Sequence, residues 1–281
     1  MRPYTRAFPV HSYEVDAFGE AAPAALAGYL QEVAGDHAAA LGWSLPELMR
    51  RGLTWVLARQ RIEIRATVRA GDVLEASTWP SGLDRFAAFR DFVLRRQADG
   101  VEVARAVSQW FVLDLATRRP VRPDRVVAAG PADLPPHVLE PPGRRLPALE
   151  GGFEERRFRT RYSDIDLNQH VNNLSYLGWA LESVPEETWR SARPSTVDVQ
   201  FLAECRYGSA VLARSAADGA GGFRHAIVRE EDGRELARLE TRWEPRAASA
   251  DGRVKGAGPG ASPAASAGPA GAPSGRGASE P

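Results

Sequence analysis

The sequence predicts an α+β fold made of two copies of one domain, each a strand, a helix and then several antiparallel strands. Three observations predict it. Apolar residues recur at helical spacing between Ala24 and Leu41. Alternation with period two takes over from Thr54 to Leu115. Landmarks of the first half then return in the same order in the second.

Phe8 to Val15 mixes apolar and polar residues as a strand start does. In the helix, Leu26, Leu30, Val33, His37 and Leu41 fall three and four apart, and Pro23 suits a first turn, where a missing N–H is harmless. Gly42 is the expected stop. Arg61-Ile62-Glu63-Ile64-Arg65 alternates cleanly, and Val73 to Trp79 follows a Gly71-Asp72 turn. Phe89–Arg96 and Val103–Leu113 flank Ala98-Asp99-Gly100, a hairpin signal. From Thr117 to Glu155 eight prolines argue against regular structure, and a connector of that length spans a distance or wraps a surface.

The repeat is read residue by residue. At a shift of 150, Ser12-Tyr13-Glu14-Val15-Asp16 falls on Tyr162-Ser163-Asp164-Ile165-Asp166, and Gly28 and Glu32 fall on Gly178 and Glu182. Further on, Ile62-Glu63-Ile64 matches Val199-Gln200-Phe201, Gly71 matches Gly208, Gly100 to Arg105 matches Gly233 to Arg238, and Trp110 matches Trp243. Several ordered matches argue for tandem duplication. After Arg246 the chain is almost wholly Ala, Gly, Ser and Pro, which cannot bury enough apolar surface to offset its ordering entropy.

An apolar content of 43% and a charged content of 26% are those of a soluble globular protein. The net charge of zero supplies no global field for nucleic acid or an anionic membrane. Cys205 is the only cysteine, which excludes an intrachain disulfide and a cysteine zinc site. No apolar run approaches the ~20 residues of a membrane helix, and Met1 to Val10 lacks a signal-peptide core, so the expected compartment is the cytoplasm. Phosphate-loop, dinucleotide and Gly-x-Ser-x-Gly motifs are absent, which argues against nucleotide chemistry and an α/β-hydrolase.

The duplication acts as a control on the chemistry. Asp166, Asn168 and His170 lie at i, i+2, i+4 and would share one face if a strand ran through them. Their counterparts are Asp16, Phe18 and Glu20, and Asn172 and Asn173 become Ala22 and Pro23. Polar groups kept in one copy and lost in the other point to one working site. Glu204, whose counterpart is Thr67, is the candidate from elsewhere in the copy. Asp166, His170 and Glu204 offer acid, base and orienting functions, and Asn168 a neutral donor. The helix start near Asn172 offers free N–H groups and a positive dipole end, suited to a carbonyl gaining negative charge. The alternatives stay open at this point. An Asp–His pair can be a turn, Asn172 or Asn173 a helix cap, Glu204 a surface carboxylate, and Cys205 a nucleophile or a buried apolar residue. One histidine and two carboxylates could hold a metal, although nothing in the spacing requires it.

Asp164 to Asn173, followed by Tyr176, Gly178-Trp179 and Leu181-Glu182-Ser183, resembles the acyl-acyl carrier protein thioesterases of plant plastids and bacteria. So do Glu204-Cys205, Leu53 to Arg59, Gly71-Asp72-Val73, and Trp110 with Thr117-Arg118-Arg119; the likeness runs from about Ser12 to Trp243. The resemblance implies a tandem double hotdog, each half an antiparallel sheet wrapped around a long helix. It implies hydrolysis of fatty acyl-acyl carrier protein to free fatty acid, with Asp166, Asn168, His170 and Glu204 catalytic, and Asn172, Asn173 and Cys205 at the substrate. It also implies that the first half supplies the acyl channel, lined in part by the small residues of Ala24–Leu41. The same fold also hosts acyl-CoA thioesterases and non-catalytic acyl-binding proteins.

The expected organisation is a non-catalytic hotdog at 1–116, a linker at 117–155, a catalytic hotdog at 156–246 and a disordered tail at 247–281. No cofactor or metal is expected. The expected partner is an acidic acyl carrier protein, docking on Arg118, Arg119, Arg122 and Arg125 or on Arg156, Arg157, Arg159 and Arg161; a homodimer is compatible with this reading. Truncation after Arg246 is expected to leave turnover unchanged, and a truncated chain without activity would overturn the dispensable tail.

Overall fold

In the computed structural model, which describes residues 2–127 and 135–246, the first half runs β1 (Tyr4–Pro9), α1 (Pro23–Ala40), α2 (Leu45–Arg50), β2 (Leu53–Ile64), β3 (Val73–Leu83), β4 (Ala87–Arg96) and β5 (Glu102–Asp114). A two-residue strand, β6 (Pro120–Val121), lies against β5. The second half repeats the order: β7 (Glu154–Arg159), α3 (Asn173–Glu182), α4 (Glu186–Ser191), β8 (Ala192–Phe201), β9 (Ala210–Ala217), β10 (Gly222–Arg229) and β11 (Glu235–Pro245). The tail beyond Arg246 and a part of the Pro-rich connector lie outside the described residues.

Three local expectations change. The strand expected over Phe8–Val15 ends at Pro9, and the chain makes a 3-10 turn at Ser12–Glu14, matched by one at Tyr162–Asp164. Helix α2 has fewer than two turns, too short for periodicity to reveal, although Ser44 and Glu47 form a capping box. The connector is not wholly irregular, since it begins with β6 and a 3-10 turn at Pro123–Arg125.

All strands join one antiparallel sheet in the order β1-β3-β4-β5-β2-β8-β11-β10-β9-β7, with β6 beside β5. The two copies therefore meet edge to edge at β2 and β8, paired from Arg59↔Gln200 to Glu63↔Thr196. Helices α1 and α3 pack on the same face of this sheet and share one core. Leu26, Leu30 and Val33 of α1 are buried, each worth roughly 1.5–3 kcal/mol. Gly28 faces Leu174 of α3, with room for a side chain only at contact distance. Pro23 occupies the first turn of α1, and Gly42 takes a φ of +73° just beyond its end. Asn172 caps α3 by accepting from the Leu174 amide at 3.0 Å. Pro185 closely follows α3, which stops eight residues sooner than its counterpart.

The seam carries a buried bidentate ion pair. Arg59 donates from Nε and Nη2 to the two carboxylate oxygens of Asp198, both at 2.8 Å. Its Nη1 reaches the Arg144 carbonyl in the connector. The connector then binds both copies. Val138 donates its amide to buried Asp91, whose carboxylate also meets His137 and Ser81. Leu146 donates to Gln200 and accepts from Arg238.

Pseudo-symmetry persists in detail. Trp110 donates to Ser108 at 2.8 Å, and its counterpart Trp243 donates to Thr241 at 3.0 Å. At one inner position that differs, His225 stands where the first copy has Phe92. Burial holds the His225 imidazole down to about 3. Burial, then the charge of Arg90, holds His37 down to about 4.

Two predictions follow from these burials. Asp198→Ala leaves Arg59 buried and unpaired and is expected to cost about 3–5 kcal/mol in urea unfolding. A loss below about 1 kcal/mol would show that the pair does not hold the seam. Both histidines stay neutral in the native state, while the unfolded chain binds their protons below about 6.5, so stability falls as pH drops from about 6.5 toward 4. His225→Phe is expected to flatten that slope; an unchanged slope would exclude His225 as its source.

Candidate active site

Asp166 to His170 is a closed turn, not a strand. Ile165 bridges Val171, Asp166 N donates to the His170 carbonyl at 2.9 Å, and Gln169 N donates to the Asp166 carbonyl at 3.0 Å. The shared strand face expected for Asp166, Asn168 and His170 therefore does not exist. Asp166 Oδ1 accepts from the Asn168 amide at 2.8 Å, which folds the loop back before alternation can operate. The first copy makes the same turn, with Asp16 Oδ1 accepting from the Phe18 amide. Its left-handed position is Gly19 at φ +72°, whereas the second copy places Gln169 there at φ +62°.

This turn is drawn to the segment after β8. Val171 N donates to the Cys205 carbonyl at 2.9 Å, as Ala21 N does to Val68 in the first copy. His170 Nε2 thereby comes to 3.4 Å from Glu204 Oε2. Arg118 Nη2 donates to both oxygens of Glu204, at 3.0 and 3.1 Å. Arg118 arrives from the first copy, just beyond β5. Asp114 shapes its turn by accepting from Thr117, which lowers the Asp114 carboxyl. Cys205 is fully buried in the core, where the first copy has buried Val68. Beside it, burial raises the Tyr176 phenol.

The turn also borders a cavity of about 280 Å³. Asp166, Asn168 and Asn173 come to it from the second copy. The rest of the wall comes from the first copy, including Ala34, Gly35 and Ala38 of α1 and three tryptophans, Trp43, Trp55 and Trp110. These small α1 residues belong to the stretch by which α1 outruns α3. Arg90 also contributes. It contacts His37 and Thr78, and burial lowers it to about 10. His170, Glu204 and Cys205 are not in the wall, and Asn172 is occupied with its cap. At the equivalent turn of the first copy, Asp16 and Glu20 are both paired with Arg246, and the space is about 30 Å³.

The arginines expected to dock a carrier protein divide. Arg118 is engaged by Glu204, Arg122 by Asp124, Arg157 by Glu230 and Arg161 by Asp164. Arg119, Arg125, Arg156 and Arg159 are exposed and make no ion pair among the described residues. The contact of Arg118 with Glu204, residues 86 apart, had no signal in spacing or alternation.

The family model for the acyl-ACP thioesterase N-terminal domain matches residues 2–129, and that for the C-terminal domain matches 149–245. The chain is 31% identical to a chloroplastic palmitoyl-acyl carrier protein thioesterase of Cuphea hookeriana, over 88% of this chain and 63% of the relative. It is 30% identical to the chloroplastic oleoyl-acyl carrier protein thioesterase 1 of Arabidopsis thaliana, over 88% and 77%. It thus spans just under two thirds of the first of these relatives. The solved 12:0-ACP thioesterase from Umbellularia californica superposes with a TM-score of 0.78 at 26% identity, over 87% of this chain and 98% of that one. An acyl-ACP thioesterase from Bacteroides thetaiotaomicron, at 24% identity and a TM-score of 0.76 over 85% and 97%, shares the fold. Each half of the chain is a hotdog, the two are joined in tandem, and the chain belongs to the acyl-ACP thioesterase family.

Proposed function

We propose that the protein hydrolyses the thioester of a fatty acyl-acyl carrier protein, releasing a free fatty acid and ending chain elongation. The observation that carries this reading is the meeting of two unlike parts at one turn. Asp166 and Asn168 of the turn line an apolar cavity of about 280 Å³, and His170 of the same turn pairs with Glu204. Family membership and the reactions for which the relatives are named support the same reading.

In this reading the chain lies in the first copy and the thioester carbonyl sits against the start of α3, near Asn173 and Asn168. The Asn173 N–H, which makes no bond to the Asn172 cap as Leu174 and Ser175 do, with the positive end of the helix, favours the oxyanion of the tetrahedral intermediate. His170, oriented by Glu204, takes a proton from water as its oxygen attacks the carbonyl carbon. The carbon–sulfur bond then breaks, and the proton passes to the departing thiolate. Asp166 uses Oδ1 to build the turn, leaving Oδ2 to orient the water or to attack the carbonyl itself. Incorporation of solvent oxygen-18 into the enzyme carboxylate distinguishes attack from orientation. The exposed Arg119, Arg125, Arg156 and Arg159 are the cations left for an acidic carrier protein. Steering by them predicts that kcat/KM falls steeply with added salt.

The test is turnover of one acyl chain on carrier protein and on CoA, with the free acid quantified. A preference for the carrier form supports the proposal, equal or better use of the CoA form assigns an acyl-CoA thioesterase, and binding without hydrolysis overturns both. His170→Ala and Asp166→Ala are each expected to lower kcat by about 10²–10⁴; near-normal turnover in either removes that residue from the machinery. Cys205→Ala is expected to keep most of the activity, and native protein should resist thiol reagents until unfolded. Rapid inactivation by a thiol reagent without unfolding would restore Cys205 as a nucleophile.

A further inference from the structure

Two non-glycine residues have a positive φ among those described, Gln169 at 62° and Arg118 at 56°. Side chains other than glycine reach this region at a cost of about 1–3 kcal/mol and cluster where function over-determines the backbone. Gln169 immediately precedes His170, and Arg118 is bound to Glu204. The two strained residues thus flank the His170–Glu204 pair, one on each copy.

Surrounding bonds hold Arg118 in this conformation. Its amide donates to the Asp114 carbonyl at 2.8 Å, and Asp114 N takes the Arg119 carbonyl at 3.0 Å. Asp114 Oδ1 also accepts from Ala116 N, Thr117 N and Thr117 Oγ1. This hydrogen-bonded knob at the end of β5 aims a single Nη2 at both Glu204 oxygens. Glu204 is exposed and lies beyond the last residue of β8, where no ladder bond fixes its side chain. Of the two groups that meet its carboxylate, Arg118 is the nearer, at 3.0 Å against 3.4 Å for His170.

We propose that Arg118, supplied by the otherwise non-catalytic first copy, is a positioning residue of the active site. It fixes the Glu204 carboxylate in the rotamer that orients His170, so that the working site is completed across the two copies. This rests on the hydrolytic reading above. It also removes Arg118 from the surface that docks a carrier protein, and that difference makes the idea testable.

The experiment compares wild type with Arg118→Ala and Arg118→Lys on two thioesters of one acyl chain, one on carrier protein and one on N-acetylcysteamine. A positioning residue predicts that Arg118→Ala lowers kcat about tenfold on both, with KM within about twofold. Lysine or added guanidinium should restore part of the rate, and the thermal midpoint should stay unchanged. A rise in KM confined to the carrier-bound substrate would make Arg118 a docking residue and overturn the proposal, as would unchanged kcat on both. Ring nitrogen NMR of the full chain needs no turnover. Arg118→Ala should move the His170 signals and leave those of buried His37 and His225 in place. Unmoved His170 signals overturn the proposal, and His170 signals that move in Arg118→Ala while the wild type hydrolyses neither thioester leave it standing while the proposed reaction fails.

Discussion

The pairing of β2 with β8 is the constraint on which the rest depends, and the Arg59–Asp198 ion pair fixes its register. A one-residue slip there would turn every inward side chain of a central strand outward. The two carboxylate–guanidinium bonds penalise such a slip, because a displaced Arg59 would be a buried charge without a partner. β2 is also the common neighbour of the two strands that deliver the site. Arg118 follows the end of β5 and Glu204 follows the end of β8, and both strands are registered against Arg59 of β2. The geometry at Glu204 is therefore inherited from the seam.

Given that shared frame, duplication allowed the copies to specialise by subtraction. The first copy kept the Asp turn but lost the asparagine and histidine, and Arg246 now fills the space beside Asp16 and Glu20. Its helix α1 is the longer one, and there Ala34, Gly35 and Ala38 leave room that side chains would otherwise occupy. The second copy has the shorter helix and the polar turn. The cavity at that turn is walled mainly by the first copy, whereas the His–Glu pair belongs to the second. The connector, bonded to Asp91 on one side and to Gln200 and Arg238 on the other, keeps the two registered outside the sheet as well.

The repeat carried most of the fold into view. Helix α1 was legible because Leu26, Leu30 and Val33 all face one core, and the end of β2 and the start of β3 because their burial alternates. Asp166 to His170 was legible in composition but not in shape. Alternating polar residues mimic a strand, and the Asp166–Asn168 bond, with the backbone bonds that close the turn, shows that the chain has turned. That bond also corrects the weight of each residue. Asp166 shares its turn-forming role with Asp16, so the asymmetry that marks the site rests on Asn168, His170 and Glu204. The Arg118 contact had no local signature, because a salt bridge between residues brought together by three strands exists only once the sheet is registered.

Gln169 shows why the second copy tolerates strain that the first avoids. Gly19 satisfies the left-handed position of the same turn without a Cβ penalty, so glycine was sufficient for folding. Glycine there would also widen the conformations open to the loop. At Asp16 a wider loop does no harm, since Arg246 pins it from outside. At Asp166 no such cation is present among the described residues, and the loop carries the imidazole that lies 3.4 Å from Glu204. A residue with a side chain narrows the turn from within, at a backbone cost of about 1–3 kcal/mol. Gln169 in the second copy and Arg246 beside the turn of the first thus hold the two Asp turns in shape by different means, one from within and one from outside.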